Sequence, residues 1–161
     1  MQEKNLHGLV VIHSAPVALR QHIEWGLNAI LGAPSNYFWR DQPLTPGTVR
    51  MSLEFRAPRG TAAKIATALK GWHYLRFEVS EFGVSGGDLF RGTPELGIHR
   101  ATIDEVGTIL LPENLVRSAL AHFDEIEIRE KLELALGTKW DAELEPYRGV
   151  DLQEVQKLRA I

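Results

Sequence analysis

The stretch VVIHSAPVALRQHIEW, residues 10–25, gathers His13, Ser14, His22 and Glu24, side chains of the kind that build hydrolases and metal sites. A serine nucleophile needs a base within hydrogen-bond reach and donors for the developing oxyanion. Ser14 stands between an expected strand and an expected helix, where a nucleophile elbow would sit. Its neighbours read I-H-S-A-P rather than G-x-S-x-G, and the sharp elbow depends on those glycines. Ser14 followed by Ala15 and Pro16 reads instead as a helix N-cap with proline in the first turn. His22 and Glu24 are two apart on a helix and do not face each other. No H-E-x-x-H or other paired ligand spacing is present, so no metal and no cofactor is expected. A serine hydrolase on His13 and Ser14 is the least favoured of three readings.

RAPRGTAAK, residues 56–64, sets Arg56, Arg59 and Lys64 around a Gly-Thr turn that opens a helix. Free N–H groups and the positive dipole end make such a place receptive to phosphate. Arg56, Arg59, Thr61 and Lys64 are therefore the candidate ligand site, suited to a phosphorylated or acyl-CoA-type molecule. The plainer reading is a solvated basic turn capped by Thr61.

Trp25 lies off the apolar stripe of its helix, between Gln21 and Asn28, so something must cover it or leave it exposed. Trp39, on a short edge segment, raises the same question. Asp141, Glu143 and Glu145 cluster in WDAELEPYR. Paired carboxylates serve hydrolases and magnesium, yet no histidine or second acidic motif accompanies these, and an electrostatic docking surface fits better. Trp25, Trp39, Asp141, Glu143 and Glu145 form the candidate partner surface.

These residues must be held by a fold of 161 residues, 44% hydrophobic and 24% charged, enough for one domain (1–161) with a real core. The net charge of −3 gives no global pull toward nucleic acid or membrane, although the middle is basic. Residues 40–76 carry seven Lys/Arg against two acids, whereas residues 121–161 carry ten acids against six bases. Absence of cysteine removes disulfides, thiolate metal sites and cysteine nucleophiles. MQEKNLHG lacks an apolar leader region, and no apolar run is long enough to span a bilayer, so a cytoplasmic location is expected.

GLVVIHS (8–14) is apolar on both faces, as in a central strand. Pro16 opens a helix to Leu31, closed by Gly32, with Leu19, Ile23, Leu27 and Ile30 on one stripe. YFWRD (37–41) reads as a short strand. TVRMSLEFR (48–56) alternates, with Val49, Met51, Leu53 and Phe55 inward and Arg50, Ser52, Glu54 and Arg56 outward. A helix from Thr61 to Gly71 and a strand over 74–82, with Leu75, Phe77 and Val79 inward, complete βαββαβ, a ferredoxin-like core over residues 1–82. An RNA-binding sheet of this kind needs stacking aromatics on its open face, and Arg50, Ser52, Glu54 and Arg56 offer none. Residues 83–94 read as a Gly-rich loop and 97–111 as a hairpin turning at DEVG (104–107). Pro112 opens a helix to Phe123. Asp124 and Glu127 form a capping box for a helix that Gly137 closes, and 151–161 is a short terminal helix. The class is α+β, residues 83–161 packing as a hairpin and helices on the core.

HSAP (13–16), DQP (41–43), LKGWHYLRFEVSE (69–81), TPELGI (93–98) and LALGTKWDAELEPYR (134–148) together resemble the actinobacterial domain-of-unknown-function family 3145, in order and over nearly the whole chain. The resemblance implies an actinobacterial, cytosolic, single-domain protein and transfers no catalytic residues. Some members are encoded beside fatty-acid synthesis genes, a pointer toward fatty-acid or acyl-CoA metabolism. The expected function is a non-enzymatic accessory or protein-binding protein with an unidentified protein partner; a phosphorylated-ligand or acyl-CoA-type binding protein is the alternative.

Overall fold

A computed structural model describes residues 4–32 and 36–160. Met1 to Glu3 of the stretch read above as lacking a leader, and Ile161 of the expected terminal helix, lie outside the described residues. The chain is mixed helix and sheet, as expected. Among the described residues, seven strands form one antiparallel sheet in the order β2-β3-β1-β4-β5-β6-β7, and five α-helices accompany it. The sheet is larger than the expected four-stranded unit, because hairpin strands extend it.

Strand β1 (Leu6–Pro16) pairs with both β3 (Thr48–Ala57) and β4 (Arg76–Gly83), and its two-sided apolar pattern answers to that central place. β1 outruns the expected 8–14. Its ladder with β3 continues through Ala15↔Val49 and Pro16↔Thr48 after a bulge beyond Ile12. Pro16 is extended (φ −55°, ψ 136°), since the ring's fixed φ suits a strand end as well as a first helical turn. A single 3-10 turn (Val17–Leu19) then leads into α1 (Arg20–Leu31), so Ser14 is a strand residue and caps no helix. The expected strand over 37–41 shrinks to β2 (Arg40–Asp41). Tyr37 and Trp39 bond instead to Asn28 and Glu24 of α1.

One face of the sheet carries the apolar core. Val10, Ile12, Met51, Phe77 and Val79 meet Ile23 and Leu27 of α1 and Ile65 and Leu69 of α2 (Thr61–Lys70). Gly60, not Thr61, is the N-cap of α2.

Residues 83–94 are not a loop. β5 (Gly86–Thr93) pairs along its length with β4 and with β6 (Gly97–Ile103), which turns into β7 (Ile109–Leu110). The expected turn at 104–107 is present, with Gly107 at φ 88°. Glycine at 87 answers to packing: a Cβ there would lie 1.7 Å from the Glu81 carbonyl oxygen. Gly-rich composition therefore hid a strand whose neighbours approach too closely for side chains.

Helix α3 (Glu113–Leu120) stops three residues short of the expected Phe123, and α4 (Glu125–Leu136) forms as expected, the Asp124 carboxylate accepting from Ile126 N and Gly137 closing α4 at φ 73°. The other half of the expected capping box differs, for Glu127 pairs with His122 Nδ1 at 2.9 Å. In place of a short helix from 151, one helix α5 runs from Thr138 to Arg159 with Pro146 inside it. It binds successive strands: Trp140 to Gly97 O at the start of β6, Asp141 to Arg91 of β5, Arg148 to Glu78 of β4, Asp151 to Arg50 of β3 and Glu154 to Arg40 of β2. From Trp140 to Glu154 the helix rises about 21 Å. Six adjacent strands span about 24 Å, so α5 lies nearly across them. This helix covers the face of β3 that the sequence leaves open, and Arg50, expected outward, is 4% exposed beneath it.

Gly87→Ala is expected to destabilise the protein by about 2 kcal/mol or more in urea unfolding, through backbone collision. Gly149→Ala, inside α5 with nothing within 4 Å of its added carbon, is expected to stabilise by up to about 1 kcal/mol. Equal effects at the two positions would contradict the packing described.

Candidate functional site

The four residues that open the sequence argument are dispersed. His13 Nε2 meets Glu78 Oε2 at 2.7 Å, and Ser14, 1% exposed, accepts from Arg76 Nη1 at 3.5 Å. His22 stands edge-on to Trp25 with centroids 5.5 Å apart, and Glu24 accepts from Trp39 Nε1 at 2.7 Å. His13 is committed to a carboxylate rather than to Ser14, so no nucleophile–base pair forms. Among the described residues no cluster of three or more His, Asp or Glu could hold a metal.

The basic turn is likewise committed. Arg56 Nη2 lies 2.6 Å from His7 Nε2, and Arg59 donates to Ser85 Oγ at 3.1 Å and Gly86 O at 3.3 Å. Thr61 Oγ1 donates back to Pro58 O, and Lys64 is exposed. The amides that would cradle a phosphate are already bonded: Gly60 N and Ala62 N donate to the two carboxylate oxygens of Glu81 at 2.6 and 3.0 Å. Glu81 is 1% exposed, so an anionic ligand at this helix end must displace a buried internal anion. The signal for Glu81 was present in the sequence, since it shares the inward parity of Leu75, Phe77 and Val79 in its strand.

The richest polar constellation lies under α5. Glu78, Arg91 and His99 stand opposite one another on β4, β5 and β6. Arg148 grips both oxygens of Glu78, Nε to Oε2 at 3.0 Å and Nη2 to Oε1, and also reaches Asp141 and Glu145. Arg91, 1% exposed, pairs with Asp141 at 2.6 Å, donates to Leu136 O at 2.7 Å and meets His99 Nδ1 at 3.2 Å. His99 Nε2 faces the carbonyls of Leu134 and Ala135, which makes it the donor nitrogen and leaves Nδ1 to accept from Arg91. Burial pushes the Glu78 carboxyl up, but the hydrogen bonds from His13 and Arg148 outweigh it and hold the group at about 2. The same pair raises Arg148 above its ordinary value. Burial, then the charge of Arg91, lowers His99.

Of the expected partner surface, Asp141 and Glu145 are thus consumed by arginines, Glu143 is half-buried, and Trp39 is half-buried against the core. Trp25 is 58% exposed. Sequence reasoning passed over the larger apolar exposure, on α3, α4 and the turn between them, where Leu120, Phe123, Ile126 and Leu134 all lie open and α4 buries no residue. The available signal was an excess of apolar positions in EIEIREKLELAL beyond what one buried stripe needs.

A family model described as a protein of unknown function (DUF3145) matches residues 9–159, and the chain belongs to that family. No curated protein and no solved structure matches it.

The titrations under α5 set how stability falls in acid. Glu78 is held below its ordinary 4.5, so its contribution is complete above about 4.5 and is lost as pH falls toward about 2. His99 is held below its ordinary 6.5, so its contribution is present above 6.5 and is lost as pH falls below it. Urea midpoints measured against pH are expected to decline in both windows, Glu78→Gln flattening the lower and His99→Gln the upper. Unchanged slopes in both variants would contradict these assignments.

Proposed function

We propose that this DUF3145 protein is a non-enzymatic, cytoplasmic protein-binding module, an accessory subunit that docks through α3 and α4. The observation that carries this reading is the exposure of four large apolar side chains, Leu120, Phe123, Ile126 and Leu134, along α3, α4 and the turn between them, a concentration that favours a binding role. Its rim argues for the chemistry of the partner. Glu113, Asp124, Glu125, Glu127, Glu130 and Glu133 outnumber Arg117, Arg129 and Lys131. Arg117 pairs within the surface to Glu113, and Arg129 lies near Glu125 and Glu133. A protein presenting an apolar ridge flanked by Lys and Arg complements that rim, whereas a second copy would bring like charge against like. The committed state of His13, Ser14 and Glu78 supports the non-enzymatic half of the reading. The pointer to fatty-acid or acyl-CoA metabolism, and to an actinobacterial source, comes from the family resemblance.

As part of this reading, β2-β3-β1-β4 with α1 and α2 on one face is a ferredoxin-like unit widened by three strands. The support is the strand order and antiparallel pairing.

The test is affinity capture of the tagged protein from native cytosol, with the Ile126→Glu/Leu134→Glu double variant alongside. A stoichiometric partner retained by the wild type and lost from the variant is expected. Capture of the same partner by both, or of none by the wild type, would overturn the proposal. Trp25→Ala is expected to leave capture unchanged.

A further inference from the structure

Beyond the end of α2 the helical layer stops short of the sheet, and a cleft of about 100 Å³ opens there. Its walls are apolar. Leu75 and Phe77 of the β4 side are almost fully buried, Trp72 and Ile98 are half-buried, and Gly92 and Gly97 send no side chain into the space. Its rim carries two cation-forming groups, Lys70 and His73, both exposed. Among the described residues neither has an ion pair or a side-chain hydrogen bond, whereas most arginines of this chain are paired.

An apolar cleft with unspent N–H donors at its mouth suits a molecule with a compact apolar tail and an anionic head. The geometry points to a binding site for a small carboxylate, its tail against Trp72 and Ile98 over a floor of Leu75 and Phe77 and its head between Lys70 and His73. Size limits the tail. At the roughly 30 Å³ share of a water-sized group, the cleft holds about three or four methylene-sized groups. Acetate is too short to bury a tail, and a long chain has nowhere to continue. The carboxylate gains a charge-assisted hydrogen bond from Lys70. That ammonium also offsets the negative end of α2, which would otherwise repel the head. This site lies on the helix-covered face, away from α3 and α4, so it stands or falls independently of the docking surface.

The experiment is a titration of the labelled protein with acetate, butyrate, benzoate and octanoate at one ionic strength, followed by backbone and indole NMR shifts. Butyrate is expected to move Trp72, Leu75 and Ile98 in a saturable way, with acetate, benzoate and octanoate about tenfold weaker or more. Lys70→Gln/His73→Gln is expected to weaken butyrate by about tenfold. Ile98→Trp, which fills the cleft, should abolish saturable shifts; dispersed signals elsewhere would show that each variant is folded. Shifts spread evenly over the surface, equal response to acetate and butyrate, or unaltered butyrate binding in the Lys70/His73 variant would each overturn the assignment.

Discussion

The Glu78 carboxylate is the point on which the α5 side of the sheet turns. It sits on the central part of the sheet with His13 on one oxygen and the Arg148 guanidinium across both. Taking a carboxylate out of water costs several kcal/mol unless the new partners replace what water supplied, and here two donors do so. Around this pair the other charges fall into line: Arg91 with Asp141, Arg50 with Asp151, Arg40 with Glu154, each joining one strand to one turn of α5. The apolar contribution of the same helix is modest, Trp140, Leu144 and Val150 alone being buried. Charge pairs thus fix where the helix lies along the strands, and the three apolar residues seal it.

The opposite face is built on another principle. Core side chains of β1, β3 and β4 meet two helices with almost no polar atoms between them, Glu81 excepted. Glu81 resembles Glu78 in being a strand carboxylate kept from water, but its partners are the amides that begin α2. The two carboxylates therefore anchor one helix on each side of β4. Their positions three apart place them on opposite faces, as the strand's alternation requires.

Periodicity made the helix-facing half of this fold legible. Alternation in TVRMSLEFR and the apolar stripe of α1 depend only on local geometry, and both turn the expected apolar side to the core, although Arg50 on the other side is buried under α5. What failed did so for physical reasons that one chain conceals. Glycines at 86, 87 and 92 looked like a loop because their purpose lies in neighbouring strands, whose backbone closes on 86 and 87 and whose Phe77 ring fills the space over 92. Periodicity marks the terminal helix only from residue 151, whereas α5 begins at Thr138 and continues through Pro146, its anchors on both sides binding the sheet. The acidic residues of WDAELEPYR read as an electrostatic docking surface since their arginine partners on β5 and α5 become neighbours only once the helix is laid down. The candidate site suffered most from this. Residues chosen for their chemistry were already engaged, and the exposed apolar side chains of α4 were not among those chosen.

The crossing of α5 over six strands also orders events in time. Every strand it covers precedes it in the chain, so during synthesis the sheet is made before its cover. At about 5–20 residues per second the 22 residues of α5 take roughly one to four seconds to add. Until α5 is made, Arg50 and Arg91 lack the carboxylates of Asp151 and Asp141, which only this last helix brings.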